Sequence, residues 1–238
     1  MSARHLKTFL TLSCAGILLA AGQSWSAVEI NIGSNIVNTG NVSGCVQGSG
    51  SAKKESRSLS NFHALEVEGA YTVRIACQKD QSVEISADDN LLPVILTEVQ
   101  DGILRVTSKK SICASAPMTL TISVETLDLI RSSGANEFQV QNLKGDALEV
   151  ELSGSSTMTL DGTVDELDAK IDGASGLVAG KLKAQQVSVA ISGAGSAEVH
   201  AGKRLQGDIS GVGSIRYAGQ PSEVVRNITG WGDITPVD

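Results

Sequence analysis

The sequence predicts an all-β chain: a β-solenoid of about six coils of ~19 residues behind a larger N-terminal β cap. Two observations carry this. A glycine preceded by Ser, Asp or Thr recurs at Gly134, Gly154, Gly173, Gly193, Gly211 and Gly230, with spacings of 20, 19, 20, 18 and 19 residues. Around each glycine, apolar and polar residues alternate. Leu148, Val150 and Leu152 precede Gly154, and Met158 and Leu160 follow it, with polar residues such as Thr159 between. Period-two alternation marks a strand with one buried face. A unit this short cannot bury a core alone. Stacked at ~4.8 Å, each coil covers the next, and six coils make a rod of roughly 25–30 Å.

The corner explains the small residues. Glycine adopts positive φ without a steric penalty. The residue before it (Ser133, Ser153, Asp172, Ser192, Ser210, Thr229) can hydrogen-bond along the stack or within its own turn. Two residues after it only small side chains occur: Asn136, Ser156, Ser175, Gly195, Gly213 and Gly232. "GAGSAE" and "GVGSIR" match the first two glycines of a dinucleotide-binding fingerprint, but Glu198 and Arg216 stand at the third position. The residues that follow read as strands, where the fingerprint needs a helix. The glycines are corners.

Upstream of the repeat the chain divides three ways. Residues 1–26 read as a signal peptide, with Arg4 and Lys7 ahead of an apolar run from Phe9 to Ala21 and small residues before Ala27. The run is shorter than the ~20 residues a membrane span needs. Residues 27–56 are a Gly/Ser/Asn-rich, flexible lead-in. Residues 57–126 form the N-terminal β region, and residues 127–238 the repeat, continuous with it. "LEVEGAYTVRI" reads as an earlier coil, and "DDNLLPVI" as a short helix or turn. Beyond the signal three cysteines remain: Cys45, Cys77 and Cys113. An oxidising compartment favours one disulfide. Spacing alone does not decide the pairing. The expectation taken is Cys77–Cys113, because Cys45 falls in the lead-in.

Charge and composition narrow the function. Without Arg4 and Lys7 the chain carries 17 basic and 26 acidic residues, a net charge near −9. Nucleic-acid binding needs clustered Lys and Arg, so it is excluded as a partner class. His63 and His200 stand apart in the sequence, no zinc spacing occurs, and no Ser/His/Asp set stands out. No cofactor is expected. The acidic series Asp161, Asp165, Asp168 and Asp172 is a weak calcium candidate, matching neither the EF-hand nor the nonapeptide repeat. Tyr71 and Trp231 are the aromatics expected at the surface. With the outward strand positions Thr159, Glu198 and Arg216 they make the candidate interaction surface.

"FHALEVEGAYTVRI", "DDNLLPVI", "DGILRV" and the closing "ISGVGSIRYAGQP" together resemble the head GIN domain family, labelled "putative auto-transporter adhesin". The likeness covers residues 57–236. It implies an exported all-β solenoid of bacterial envelopes, in the periplasm or at the cell surface, and supplies no catalytic residues. A C-terminal barrel that would translocate a passenger is not expected of this chain. The expectation is therefore a non-enzymatic envelope protein presenting a rigid surface to a protein, a glycan or another copy of itself. The alternative is a β-helix protein that binds or acts on polysaccharide, which would need a groove lined with carboxylates and an aromatic.

Overall fold

The computed structural model describes residues 44–237, together with the backbone of residues 30–32 and 35–37. The expected signal peptide lies outside the described residues, as does most of the lead-in. The chain divides into two units, Met1–Gly44 and Cys45–Asp238. In the first, β1 (Ile30–Ile32) and β2 (Asn35–Val37) form an antiparallel hairpin.

The second unit begins with β3 (Val46–Gln47) and β4 (Ala52–Ser56). Two inward-patterned strands follow, β5 (Ala64–Gly69) and β6 (Thr72–Cys77). Then come β7 (Ser82–Asp88), a hairpin of β8 (Ile95–Gln100) and β9 (Ile103–Ser108), β10 (Ile112–Cys113) and β11 (Thr119–Val124). The coils proper start with β12 (Leu129–Gly134) and β13 (Glu137–Gly154). They continue through β14 (Thr157–Ile171), β15 (Gly176–Ile191) and β16 (Ala194–Ile209). The last coil is β17 (Val212–Ala218), β18 (Glu223–Ile228) and β19 (Trp231–Pro236).

The strands stack into two long faces. Face A runs β8, β9, β5, β12, then the later segments of β13 to β16, then β18. Face B runs β4, β7, β11, β6, the early segments of β13 to β16, β17 and β19. Within the coils every pairing is parallel. In this unit the antiparallel pairs among the described residues fall where the N-terminal region builds on, at β8–β9, β7–β11 and β4–β7. Nine or ten strands at ~4.8 Å make a rod of roughly 40 Å. The six repeated glycines bound five turns, so the solenoid has about five turns where the repeat counts six marks.

The inward columns of β13 to β16 are apolar away from the corner. Leu148, Val150 and Leu152 on face A and Phe138 and Val140 on face B are at most 1% exposed. Each such side chain contributes about 1.5–3 kcal/mol through burial. At the corner the glycines stack on one another. Gly154 has φ +94°, and a Cβ there would overlap the carbonyl oxygen of Gly134 and lie 2.9 Å from its nitrogen. Beside them runs a buried polar column. The hydroxyls of Ser132 and Ser156 are 2.9 Å apart, the Asn136 Nδ2 donates to Ser132, and the Ser156 N–H donates to Ser175 Oγ at 3.1 Å. The hydroxyl before the glycine bonds along the stack at Ser153, donating to the Ser132 carbonyl. Unequal coil lengths are absorbed away from this corner, where the register shifts between Val140 and Leu143, Thr159 and Asp161, and Ala179 and Lys183.

Three expectations are corrected. The folded unit begins at Cys45 and not near residue 57, because β3 pairs with β10 and β4 with β7. The disulfide is Cys45–Cys113, with Cα atoms 5.6 Å apart, and not Cys77–Cys113. Parallel β3 and β10, with Val46 opposite Ile112 and Gln47 opposite Cys113, bring the start of β3 close enough for Cys45 to bond Cys113. Cys77 ends an inward column of β6, 1% exposed, and burial pushes its thiol up to about 11. The third is Tyr71, which is 3% exposed and not at the surface. Standing two residues after Gly69, it occupies the inner-corner position that Asn136 fills a coil later, and its N–H donates to Asn136 Oδ1 at 2.9 Å. Burial pushes its hydroxyl up to about 12.

Candidate functional site

Face A carries a ladder of charge. Its outward position three residues before each corner glycine reads Glu66, Arg131, Glu151 and Lys170 along the stack, with Arg105 paired beside Glu66. Sign alternates at every step. The Arg105 Nε donates to Glu66 at 3.1 Å, Arg131 donates to Glu151, and the Lys170 ammonium reaches Glu149 at 2.9 Å and Glu151 at 3.3 Å. The bond from Arg131 holds the Glu151 carboxyl below its usual range, and the bond from Glu151 raises Arg131 in turn. The same two carboxylates raise Lys170.

At Ala190 the ladder stops. Asp208, the next residue in the column, turns to its own neighbours, accepting from Asn227 Nδ2 at 2.7 Å and Gln206 Nε2 at 3.1 Å. Alanine between Lys170 and Asp208 leaves a hollow of about 350 Å³, which reaches Ser192, Ser210, Asn227 and Thr229. A second hollow of about 310 Å³ extends the other way past Ser153 and Ser133 to Glu66. The two share Lys170 and Asp172. They form one shallow groove along the rod axis, beside the glycine corner, crossing the strands from Glu66 to Asn227 over roughly 25–30 Å. Trp231 stands one residue past Gly230 at the C-terminal end of that corner, 82% exposed, with Val212 paired beside it at 60%. It is the one exposed aromatic among the described residues.

The other predicted surface residues fall elsewhere. Thr159, Val178, Glu198 and Arg216 occupy one row across face B, and the Arg216 guanidinium donates to Glu198 at 2.7 Å. The four calcium candidates are spread around one coil. Asp161 faces Lys181 in the register, Asp165 lies on the return side, Asp168 sits on face A opposite Ser188, and only Asp172 reaches the groove. Among the described residues no three His, Cys, Asp or Glu gather as metal ligands. His63 lies 2.9 Å from Asp128 beside a polar cleft of about 1020 Å³ that is also bounded by Asp80 and Glu125. The groove itself was missed from sequence. In the sequence its hydroxyls read only as stacking groups, and the break at Ala190 shows only down the outward column of the repeat.

One further polar centre belongs to the cap. Asp88 is fully buried and accepts N–H bonds from Gly50 at 2.6 Å, Ser115 at 2.9 Å and Ala116 at 3.1 Å. Burial works to raise its pKa. The backbone bonds outweigh it and hold the carboxyl below its usual range. This residue and the disulfide join the segment before β4 to the segment after β10.

A family model described as "Putative auto-transporter adhesin, head GIN domain" matches residues 61–221. No curated protein matches the chain. Among solved structures, a "putative adhesin" from Bacteroides fragilis is similar with a TM-score of 0.69 and 22% identity, covering 81% of this chain and all of that one. One from Parabacteroides distasonis has a TM-score of 0.51 and 24% identity, over 81% of this chain and 99% of that one. A "putative lipid binding protein" from the same species has a TM-score of 0.50 and 19% identity, with the same coverage. At these identities the likeness is one of fold.

Proposed function

We propose, for a chain that belongs to the head GIN domain family of "putative auto-transporter adhesin" proteins, that it is an exported, non-enzymatic protein of the cell envelope which holds a rigid binding surface toward a partner. The axial groove on face A carries this reading. It is a continuous, side-chain-lined hollow on a scaffold whose every coil is fixed by its neighbours, so a ligand meets groups already in place. Binding is favoured over catalysis because the groove's cations, Arg131 and Lys170, are spent on Glu151 and Glu149, and Asp168 does not join Asp172 in it. Lipid, named for one structural neighbour, suits this surface poorly: an acyl chain needs an enclosed apolar cavity, and the interior here is filled by side chains. The net charge argues against nucleic acid and anionic lipid headgroups.

The first test is location, by protease treatment of intact cells with an antibody readout. Loss of signal from intact cells places the chain on the surface, as adhesion requires. Protection until the outer membrane is opened makes it a periplasmic binding protein. Recovery in the cytoplasm would sink the reading.

A further inference from the structure

Resting on that reading, we propose that the groove along the glycine corner of face A is the binding site for a linear, neutral glycan, which lies along the rod with one end toward Trp231. Three observations select this ligand. The groove runs straight across parallel strands, so the same kinds of group recur at each coil, as an extended repeating polymer requires. Its open hydrogen-bonding groups are those that serve sugar hydroxyls: among the described residues the hydroxyls of Ser133, Ser192 and Thr229 and the Asp172 carboxylate make no side-chain bond within the protein, while lining the two hollows. Its cations are occupied, since Arg131 and Lys170 are bonded to Glu151 and Glu149. An acidic polymer therefore finds no free positive group and meets Asp172 and Asp208. An extended peptide is disfavoured on different grounds. The groove floor is the face of a sheet, whose backbone groups are already paired along the ladder, and a peptide is held chiefly by main-chain bonds at an open edge. Trp231 lines neither hollow but stands at the C-terminal end of the same corner, where it supplies an exposed apolar platform on which a terminal sugar ring can rest.

The experiment uses the full chain with Trp25→Phe, which leaves Trp231 as its only indole. Hexamers of β-1,4-glucose, β-1,4-mannose and β-1,4-N-acetylglucosamine are titrated with tryptophan emission as readout, beside polygalacturonate and an unstructured peptide. At least one neutral hexamer is expected to shift the emission of Trp231 to shorter wavelength. Ala190→Gln fills the hollow from an outward position without touching the core, and should weaken that binding at least tenfold. Lys183→Ala, exposed on the return side and lining neither hollow, should leave it unchanged. Failure of all three hexamers, binding that Ala190→Gln leaves intact, or preference for the acidic polymer or the peptide would each overturn the proposal. Sedimentation with isolated cell envelopes separates this failure from that of the broader function. Retention on envelopes that Ala190→Gln leaves unchanged keeps an envelope-binding role and removes the groove from it. Absence of retention together with silent hexamers removes both.

Discussion

At the scale of single residues, the corner glycines and Asp88 carry the most weight. Gly154 holds a left-handed backbone and has no room for a methyl group against Gly134. Gly154→Ala should cost about 3 kcal/mol, as strain and overlap add. Gly145 is the control, since a Cβ there meets nothing within 4 Å, and Gly145→Ala should stay within about 0.5 kcal/mol of the parent. Urea midpoints compare the two, and equal losses would mean that the corner relaxes. Asp88 makes a prediction in pH. Its folded pKa is lowered, so its bonds stabilise the fold fully above the ordinary carboxylate pKa of about 4 and are lost as pH falls through the lower folded value. Asp88→Asn should therefore melt earlier than the parent at pH 7, and the gap should close at acidic pH. A gap that stays constant down to pH 2 would show that the carboxylate charge plays no part.

At the scale of strands and coils, alternation and charge act together. Inward columns fix which face is buried, and the outward ladder on face A reports register, because a slip of one coil would set like charges side by side. Arg131 is 38% exposed and its partner Glu151 33%, so solvent screening limits the pair. Arg131→Ala should cost about 1 kcal/mol or less, and the loss should shrink as salt is raised. A loss indifferent to salt would instead point to packing of the arginine stem. The coils were legible in the sequence because each strand repeats its inward pattern at a nearly constant interval, as at Leu148, Leu167, Val187 and Leu205. The cap was less so. β3 and β4 carry no alternation, and only their exposed, polar residues and their partners β10 and β7 define them. The disulfide follows from that pairing, which no local signal announces. Tyr71 was misplaced for a related reason. A large aromatic two residues after the corner breaks the small-residue rule of the later coils, and only the first coil, with the cap over it, leaves it room. The groove was half legible: the hydroxyl column is plain in the repeat, but a hollow depends on which outward side chain is short.

At the scale of the whole molecule, a stack of parallel strands must end somewhere, and an unpaired edge invites another chain. The two ends are closed differently. At the C-terminal end Arg226 lies across the last inward residues, its guanidinium 6.0 Å from the centre of the Tyr217 ring, donating to the Tyr217 hydroxyl at 3.0 Å and to the Ile234 carbonyl at 3.2 Å. Pro236 removes a donor from the final strand. At the N-terminal end of face B the outermost strand among the described residues is β4, which is parallel to the coil strands through its antiparallel step onto β7 and the further step onto β11. It could therefore accept β19 of another copy in register, and so extend the rod without limit. What stands in the way is its sequence. Lys53 and Lys54 are exposed there, and Lys54 is held at 2.8 Å by Glu84. Lysine on an edge strand makes a further strand leave a charge desolvated. Replacing both, as Lys53→Val with Lys54→Thr, should make the mean mass read by light scattering rise with concentration more steeply than the parent's. The rise should vanish when Thr235→Pro blocks the partner edge at β19. A double variant whose mass tracks the parent's over the same range would show that the rod is closed by its shape and not by these two charges.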